Sequence, residues 1–166
     1  MTSNKVIDNF LPKEKFEIIK KLFLGDTFPW YYSPTCGLPD SNDGFYFFHE
    51  IYRTHLLSSK EVWNAITPLL NKINEIDLCR SIVRVRSNCY VKTHKLVEFT
   101  KHRDYPFETK GFLYYVNNND GFTKLEDGSI IESVENRALF FDTHKLHNAS
   151  TCTNTDLRIN ININYV

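Results

Sequence analysis

Two histidines, one aspartate and one arginine carry the chemistry that can be read from this chain. His102 and Asp104 form an H-x-D pair inside FTKHRDYPF, and His147 follows further along. Alternate residues of an extended chain point the same way, so this imidazole and carboxylate can meet one ion. Two imidazoles and a carboxylate on one face of a metal leave three positions open, enough for a co-substrate and O2 to reach it together. Such a ligand set also lets the ion change oxidation state. Arg158 stands 11 residues beyond His147 at the head of the last strand-like segment. Its planar fork suits two-point binding of a carboxylate, such as the far end of a dicarboxylate. Each signal is weak alone: H-x-D arises by chance, and a lone His is more often a surface or satisfied core residue. Arg158 by itself could be an edge-strand charge. The order and spacing of all four carry the reading.

These residues need elements to position them. Residues 157–165, LRINININY, show the cleanest period of two in the chain: Ile159, Ile161 and Ile163 face one way, and Arg158, Asn160, Asn162 and Asn164 the other. The polar face lines a solvated cavity or forms the wet side of an open sheet; periodicity does not separate these. Residues 80–90 alternate likewise, with Ile82, Arg84, Arg86, Asn88 and Tyr90 on one face. Shorter strands are expected at 45–53, 111–117, 129–133 and 137–142. A helix is expected at 12–24, with Pro12 opening it and Gly25 just past its end. A second helix begins at the capping-box pair Ser58 and Glu61, with Pro68 expected to kink it. The fold class expected is mainly β with flanking helices. Residues 1–166 are expected to form a single domain, with an N-terminal helical segment 1–75 packed on a β core at 80–166.

Composition bounds the function. The 166 residues contain 20 Lys plus Arg and 20 Asp plus Glu, so the net charge is zero and a general nucleic-acid or anionic-membrane binder is disfavoured. No apolar run approaches the roughly 18 residues of a membrane span. The segment MTSNKVIDNF has no apolar core of a secretory signal. The four cysteines (Cys36, Cys79, Cys89 and Cys152) form no CxxC pair, which suits reduced thiols in a cytoplasmic protein.

At these residues the chain resembles the Fe(II)- and 2-oxoglutarate-dependent dioxygenases, in particular their prolyl-4-hydroxylase-like branch. The resemblance spans most of the chain and rests on HRD at 102–104, YYVNNNDGFT at 114–123, NRALFFD at 136–142, and His147 with Arg158. It implies a double-stranded β-helix, the jelly-roll or cupin-like core, from Arg84 to Tyr165. It implies that His102, Asp104 and His147 ligate Fe(II) and are catalytic. Arg158 would pair with the C5 carboxylate of the co-substrate 2-oxoglutarate, Tyr115 would hydrogen-bond the same carboxylate, and Tyr90 would reach the co-substrate near the metal. O2 is the second co-substrate, and ascorbate is a possible accessory. His144 competes with His147 as distal ligand, and the spacing to Arg158 favours His147. The turn NDGFT replaces the family's G-G-x-T and is expected to lie away from the ligands. Asp104 in place of Ala or Gly argues against the halogenase variant. Asn164, where the nucleic-acid demethylases carry a second Arg, argues against that branch.

The reaction implied is oxidative decarboxylation of 2-oxoglutarate to succinate and CO2, coupled to hydroxylation of a small-molecule or peptide substrate, peptidyl proline being the family-level expectation. Loops 31–44 and 91–101 are expected to wall the entrance, the second giving a mildly basic rim through Lys92, His94, Lys95 and Lys101. His49, His55 and His94 are expected to be structural or substrate-side at most. Two other classes fit a jelly roll: a binding module without turnover, and a cupin-like protein holding a metal for another reaction.

Overall fold

The computed structural model describes residues 4–36 and 44–166. Residues 37–43, part of the expected entrance loop, lie outside the described residues.

The chain begins with a short strand β1 (Lys5–Ile7) and helix α1 (Lys13–Phe23). Phe16, Ile19 and Phe23 recur at helical spacing and are buried, whereas Ile18 beside them is exposed. Then come β2 (Tyr31–Ser33), β3 (Tyr46–Arg53) and β4 (Leu56–Leu57), so the N-terminal segment contributes strands as well as helices. Helix α2 (Lys60–Ile76) is capped by Ser59, whose hydroxyl accepts from the Val62 amide. The cap thus falls one residue beyond the expected Ser58, because the Ser58 hydroxyl is engaged by His49 Nε2 at 3.0 Å. Pro68 lies within the helix, which continues through it.

The remaining strands are β5 (Ile82–Val91), β6 (Lys110–Tyr115), β7 (Phe122–Leu125), β8 (Ile130–Glu132), β9 (Arg137–Asp142), β10 (His147–Ala149) and β11 (Leu157–Tyr165). They form two antiparallel sheets. The larger has eight strands in the order β1-β9-β6-β11-β5-β3-β2, with β4 paired to β3; the smaller has the order β10-β7-β8. Non-sequential neighbours in both sheets give the jelly-roll winding of a double-stranded β-helix.

The expected alternation of β11 is present. Ile159, Ile161 and Ile163 join one core cluster with Phe16, Ile19 and Phe23 of α1 and Val62, Ile66, Leu69 and Ile73 of α2. The helices therefore cover the outer face of the large sheet, and the polar face of β11 is turned inward, toward a cavity. Ile161 is fully buried at the centre of this layer. Its replacement by Ala is expected to cost about 2–5 kcal/mol, read as a lowered midpoint in denaturant unfolding with unchanged slope.

Candidate metal centre

The two parts of the expected ligand set come together through backbone pairing. The amide of His102 donates to the carbonyl of His147 at 2.9 Å, and the amide of His147 to the carbonyl of His102 at 3.0 Å. This reciprocal pair is the hydrogen-bonded site of an antiparallel ladder, so both side chains leave the same face. Their ring centroids stand 4.7 Å apart. The amide of Asp104 donates to the carbonyl of Thr143 at 3.0 Å, which continues the pairing.

One ligand atom from each of His102, Asp104 and His147 lies within 4.8 Å of the others. Asp104 Oδ1 stands 3.7 Å from His102 Nε2 and 3.9 Å from His147 Nε2. An ion with bonds of about 2.1 Å can bridge such gaps. His147 Nδ1 faces the carbonyl of Lys145 at 3.0 Å and His102 Nδ1 that of Thr100 at 3.4 Å. A carbonyl only accepts, so Nδ1 carries the proton in each neutral ring and the Nε2 lone pair is free for a metal. His144 lies outside the triad, with Nδ1 3.5 Å from the carbonyl of Thr109.

Asp104 divides its oxygens between two tasks. Oδ1 faces the imidazoles and lies 3.4 Å from Arg84 Nη2. Oδ2 accepts from Asn164 Nδ2 at 2.8 Å and Asn162 Nδ2 at 3.1 Å. Burial alone would raise its carboxyl pKa. The Arg84 cation, the imidazoles and the Asn164 hydrogen bond outweigh that and hold it below the usual value. His147 is pushed below the ordinary histidine value, first by burial and, against the pull of Asp104, by His102. Both groups are thus kept in the form a metal needs.

Behind Tyr90 and Thr123 of the cavity wall lies Arg158, which is fully buried. Its Nε donates to Ser133 Oγ at 2.8 Å and its Nη2 to Thr123 Oγ1 at 3.2 Å. Its guanidinium lies 5.0 Å from the Tyr90 ring centroid and 5.9 Å from that of Tyr115. Among the described residues the buried Nη1 has no hydrogen-bond partner. An unpaired guanidinium nitrogen costs several kcal/mol to bury, so this one calls for an anion. The Tyr115 hydroxyl donates to Thr123 Oγ1 at 2.9 Å, and Thr123 in turn lines the cavity.

The turn expected to lie away from the metal ligands packs against this arginine. A Cβ on Gly121 would fall 2.4 Å from Arg158 Cδ and 2.6 Å from the Thr151 carbonyl. Thr123 and Gly121 were not among the expected site residues; their signal was the turn sequence itself. Asn162 and Asn164 were expected only as a polar face.

The cavity measures about 150 Å³ and is lined by Tyr46, Arg84, Arg86, Tyr90, Thr123, Asn160, Asn162 and the triad. Cys36, from the first expected entrance loop, also lines it. The second loop contributes less: Lys92, His94 and Lys95 border a separate depression, and Lys101 an outer groove with Arg103 and His144. His49 is structural, its Nδ1 donating to the Pro29 carbonyl at 2.8 Å.

No family model and no curated protein matches the chain. Solved structures match along nearly all of it. A prolyl hydroxylase from Trichoplax adhaerens, in complex with an oxygen degradation domain peptide of hypoxia inducible factor, is 15% identical with a TM-score of 0.69, covering 98% of this chain and 82% of that one. A viral collagen prolyl hydroxylase from Paramecium Bursaria Chlorella virus-1, in complex with 2OG, is 15% identical with a TM-score of 0.61, covering 99% and 97%. A 2OG-Fe(II) oxygenase family oxidoreductase from Burkholderia pseudomallei is 12% identical with a TM-score of 0.71, covering 98% and 84%. At these identities the likeness establishes the fold: a double-stranded β-helix of the kind these oxygenases share.

Two outcomes are expected. Gly121→Ala overpacks the Arg158 pocket and should cost about 1–3 kcal/mol, seen as a lower thermal midpoint. Separately, His147 has a folded pKa below its unfolded value of 6.5, so the unfolded chain binds the extra proton first. Metal-free protein should therefore lose stability as pH falls from 6.5 toward the folded value. His147→Gln should flatten that segment of a Tm-against-pH curve.

Proposed function

We propose that this chain is an Fe(II)- and 2-oxoglutarate-dependent dioxygenase that hydroxylates a small-molecule or peptide substrate. The observation that carries the reading is the buried Arg158 with its unpaired Nη1, set against Tyr90 and Thr123, which line the same cavity as a His-Asp-His cluster. A binding module needs neither group. A cupin-like metal protein would have no use for a buried arginine behind the metal.

His102, Asp104 and His147 would hold Fe(II) through Nε2, Oδ1 and Nε2. Arg158 would pair with the C5 carboxylate of 2-oxoglutarate, offering Nη1. Thr123, already accepting from both Arg158 and Tyr115, has its own hydroxyl proton left to donate to that carboxylate. Tyr115 then acts through Thr123, and Tyr90 acts as an aromatic wall over the guanidinium. The bound iron, 2-oxoglutarate and O2 would supply the oxidative chemistry: decarboxylation to succinate and CO2, with insertion of oxygen into a substrate C–H bond.

The chain's own residues contribute placement. Ser133 and Thr123 fix the Arg158 fork before the co-substrate arrives, so little ordering remains at binding. Asn162 and Asn164 hold the outer oxygen of Asp104, which leaves Oδ1 toward the imidazoles. The aromatic and aliphatic lining from Tyr90, Leu113 and Phe141 limits water around the co-substrate.

Anaerobic titration with Fe(II) and then 2-oxoglutarate tests this. The expected result is a weak visible charge-transfer band, absent in His147→Ala and requiring at least tenfold more 2-oxoglutarate in Arg158→Ala. Wild-type protein that binds iron and shows no band would remove the dioxygenase reading in favour of the binding module.

A further inference from the structure

The face that β5 and β11 present to the cavity is a ladder of cross-strand pairs: Tyr90 opposite Arg158, Asn88 opposite Asn160, Arg86 opposite Asn162 and Arg84 opposite Asn164. Successive pairs are about 6.8 Å apart along the strands. The Arg158 end is the one assigned above to the co-substrate's far carboxylate. Asn162 and Asn164, at the other end, hold Asp104. Arg86 therefore stands at the level of the metal ligands, one strand to the side, roughly 13–14 Å along the ladder from the Arg158 pair.

Arg86 is fixed from three sides. Its Nε donates to Glu50 Oε2 at 3.1 Å, its Nη1 to the Tyr46 hydroxyl at 2.9 Å, and its guanidinium lies 4.1 Å from the Phe48 ring centroid. Its Nη2 makes no hydrogen bond among the described residues, and the side chain keeps 20% of its surface exposed. Glu50 divides its charge between Arg86 and Arg53, which lies 3.3 Å from its other oxygen, and it does not line the cavity. The described cavity lining carries Arg84, Arg86 and Arg103, with Asp104 as its acid. Arg84 is committed to Asp104 and Asn164, so it adds little free charge. Beside Arg86, Asn162 also lines the cavity, and its buried Oδ1 accepts no hydrogen bond from the described residues.

We propose that Arg86 receives a free carboxylate of the primary substrate and that Asn162 Oδ1 accepts a hydrogen bond from a neighbouring N–H, which makes the substrate a free α-amino acid or a close relative and not an internal residue of a peptide. The assignment rests on the dioxygenase reading for the location of the co-substrate. A preorganised guanidinium with one open edge binds a carboxylate at little entropic cost. An α-amino acid places its carboxylate and its nitrogen on one carbon, which matches adjacent cross-strand residues. If Arg86 only buttressed Tyr46, its open edge would be indifferent to ligand charge.

The test is calorimetric titration of protein loaded anaerobically with Fe(II) and 2-oxoglutarate, using each free L-α-amino acid and its primary amide, with the charge-transfer band recorded on the same samples. At least one acid should bind, and its amide should bind at least tenfold more weakly. Arg86→Gln should weaken the acid at least tenfold and leave the affinity for 2-oxoglutarate unchanged. The proposal is overturned if no acid binds, if acid and amide bind alike, or if Arg86→Gln leaves the acid unaffected. It is overturned equally if Arg86→Gln weakens 2-oxoglutarate, which would reassign Arg86 to the co-substrate. Acid binding that depends on Arg86 in protein lacking the band would support the anion receptor while removing the dioxygenase reading.

Discussion

β11 is a central strand, paired on one edge with β5 and on the other with β6, and its two faces are chemically opposite. The isoleucine face lies against both helices and supplies the apolar burial that holds the layers together. The other face buries Arg158, Asn160 and Asn164 almost completely. Buried polar groups must find partners or cost several kcal/mol, so the interior of the barrel has to answer each of them. Asn160 takes Asn88, Asn164 takes Asp104 and Arg84, and Arg158 takes Ser133 and Thr123. A one-residue slip of β11 would turn the isoleucines into the cavity and the asparagines into the core. The register that builds the hydrophobic layer is therefore the same register that builds the site.

The small sheet supplies the rest. β10 is only three residues long, yet it carries His147 and receives the H-x-D segment through a single reciprocal pair. The residues before that segment hold it too: the Phe99 amide donates to the Ala149 carbonyl at 2.9 Å, and Asn148 Nδ2 donates to the Phe99 carbonyl at 2.6 Å. Its position is set by pairing with β7, whose Thr123 reaches across to Arg158. The two ends of the cavity are thereby tied through one short sheet: a shift of β7 would move the arginine's partner and the distal histidine together.

This division explains what could be read in the sequence. β11, β5 and both helices were legible because each repeats its apolar residues at a fixed period over several turns or pairs. β1, β2, β7 and β10 have three or four residues each, too few to show a period, and exist because a neighbouring strand offers hydrogen bonds. The spacing of His102, Asp104, His147 and Arg158 was legible because metal and carboxylate chemistry demands particular side chains. Supporting residues were less so. Asn162 and Asn164 look like any polar face until Asp104 is seen beneath them. Gly121 looks like a turn glycine until the Arg158 stem is found where its Cβ would be. Ser58 and Ser59 are equivalent as caps until His49 takes one of them.

The electrostatics of Asp104 connect metal affinity to the arginine wall. Oδ1 is the oxygen that faces both imidazoles, and it is also the oxygen 3.4 Å from Arg84. A divalent ion held by the proposed triad would share this carboxylate with a guanidinium that is itself largely buried. The arginine keeps the carboxylate ionised at low pH, which favours the ion, and adds a positive charge near it, which opposes it. Asn164 sits between the two roles: its Nδ2 donates to Asp104 Oδ2 while its Oδ1 accepts from Arg84 Nε. It orients the carboxylate and holds the guanidinium to one side of it. In the proposed metal site, the strand position that an alternating pattern marks only as polar would thus set the balance between an ionised ligand and a repelled metal.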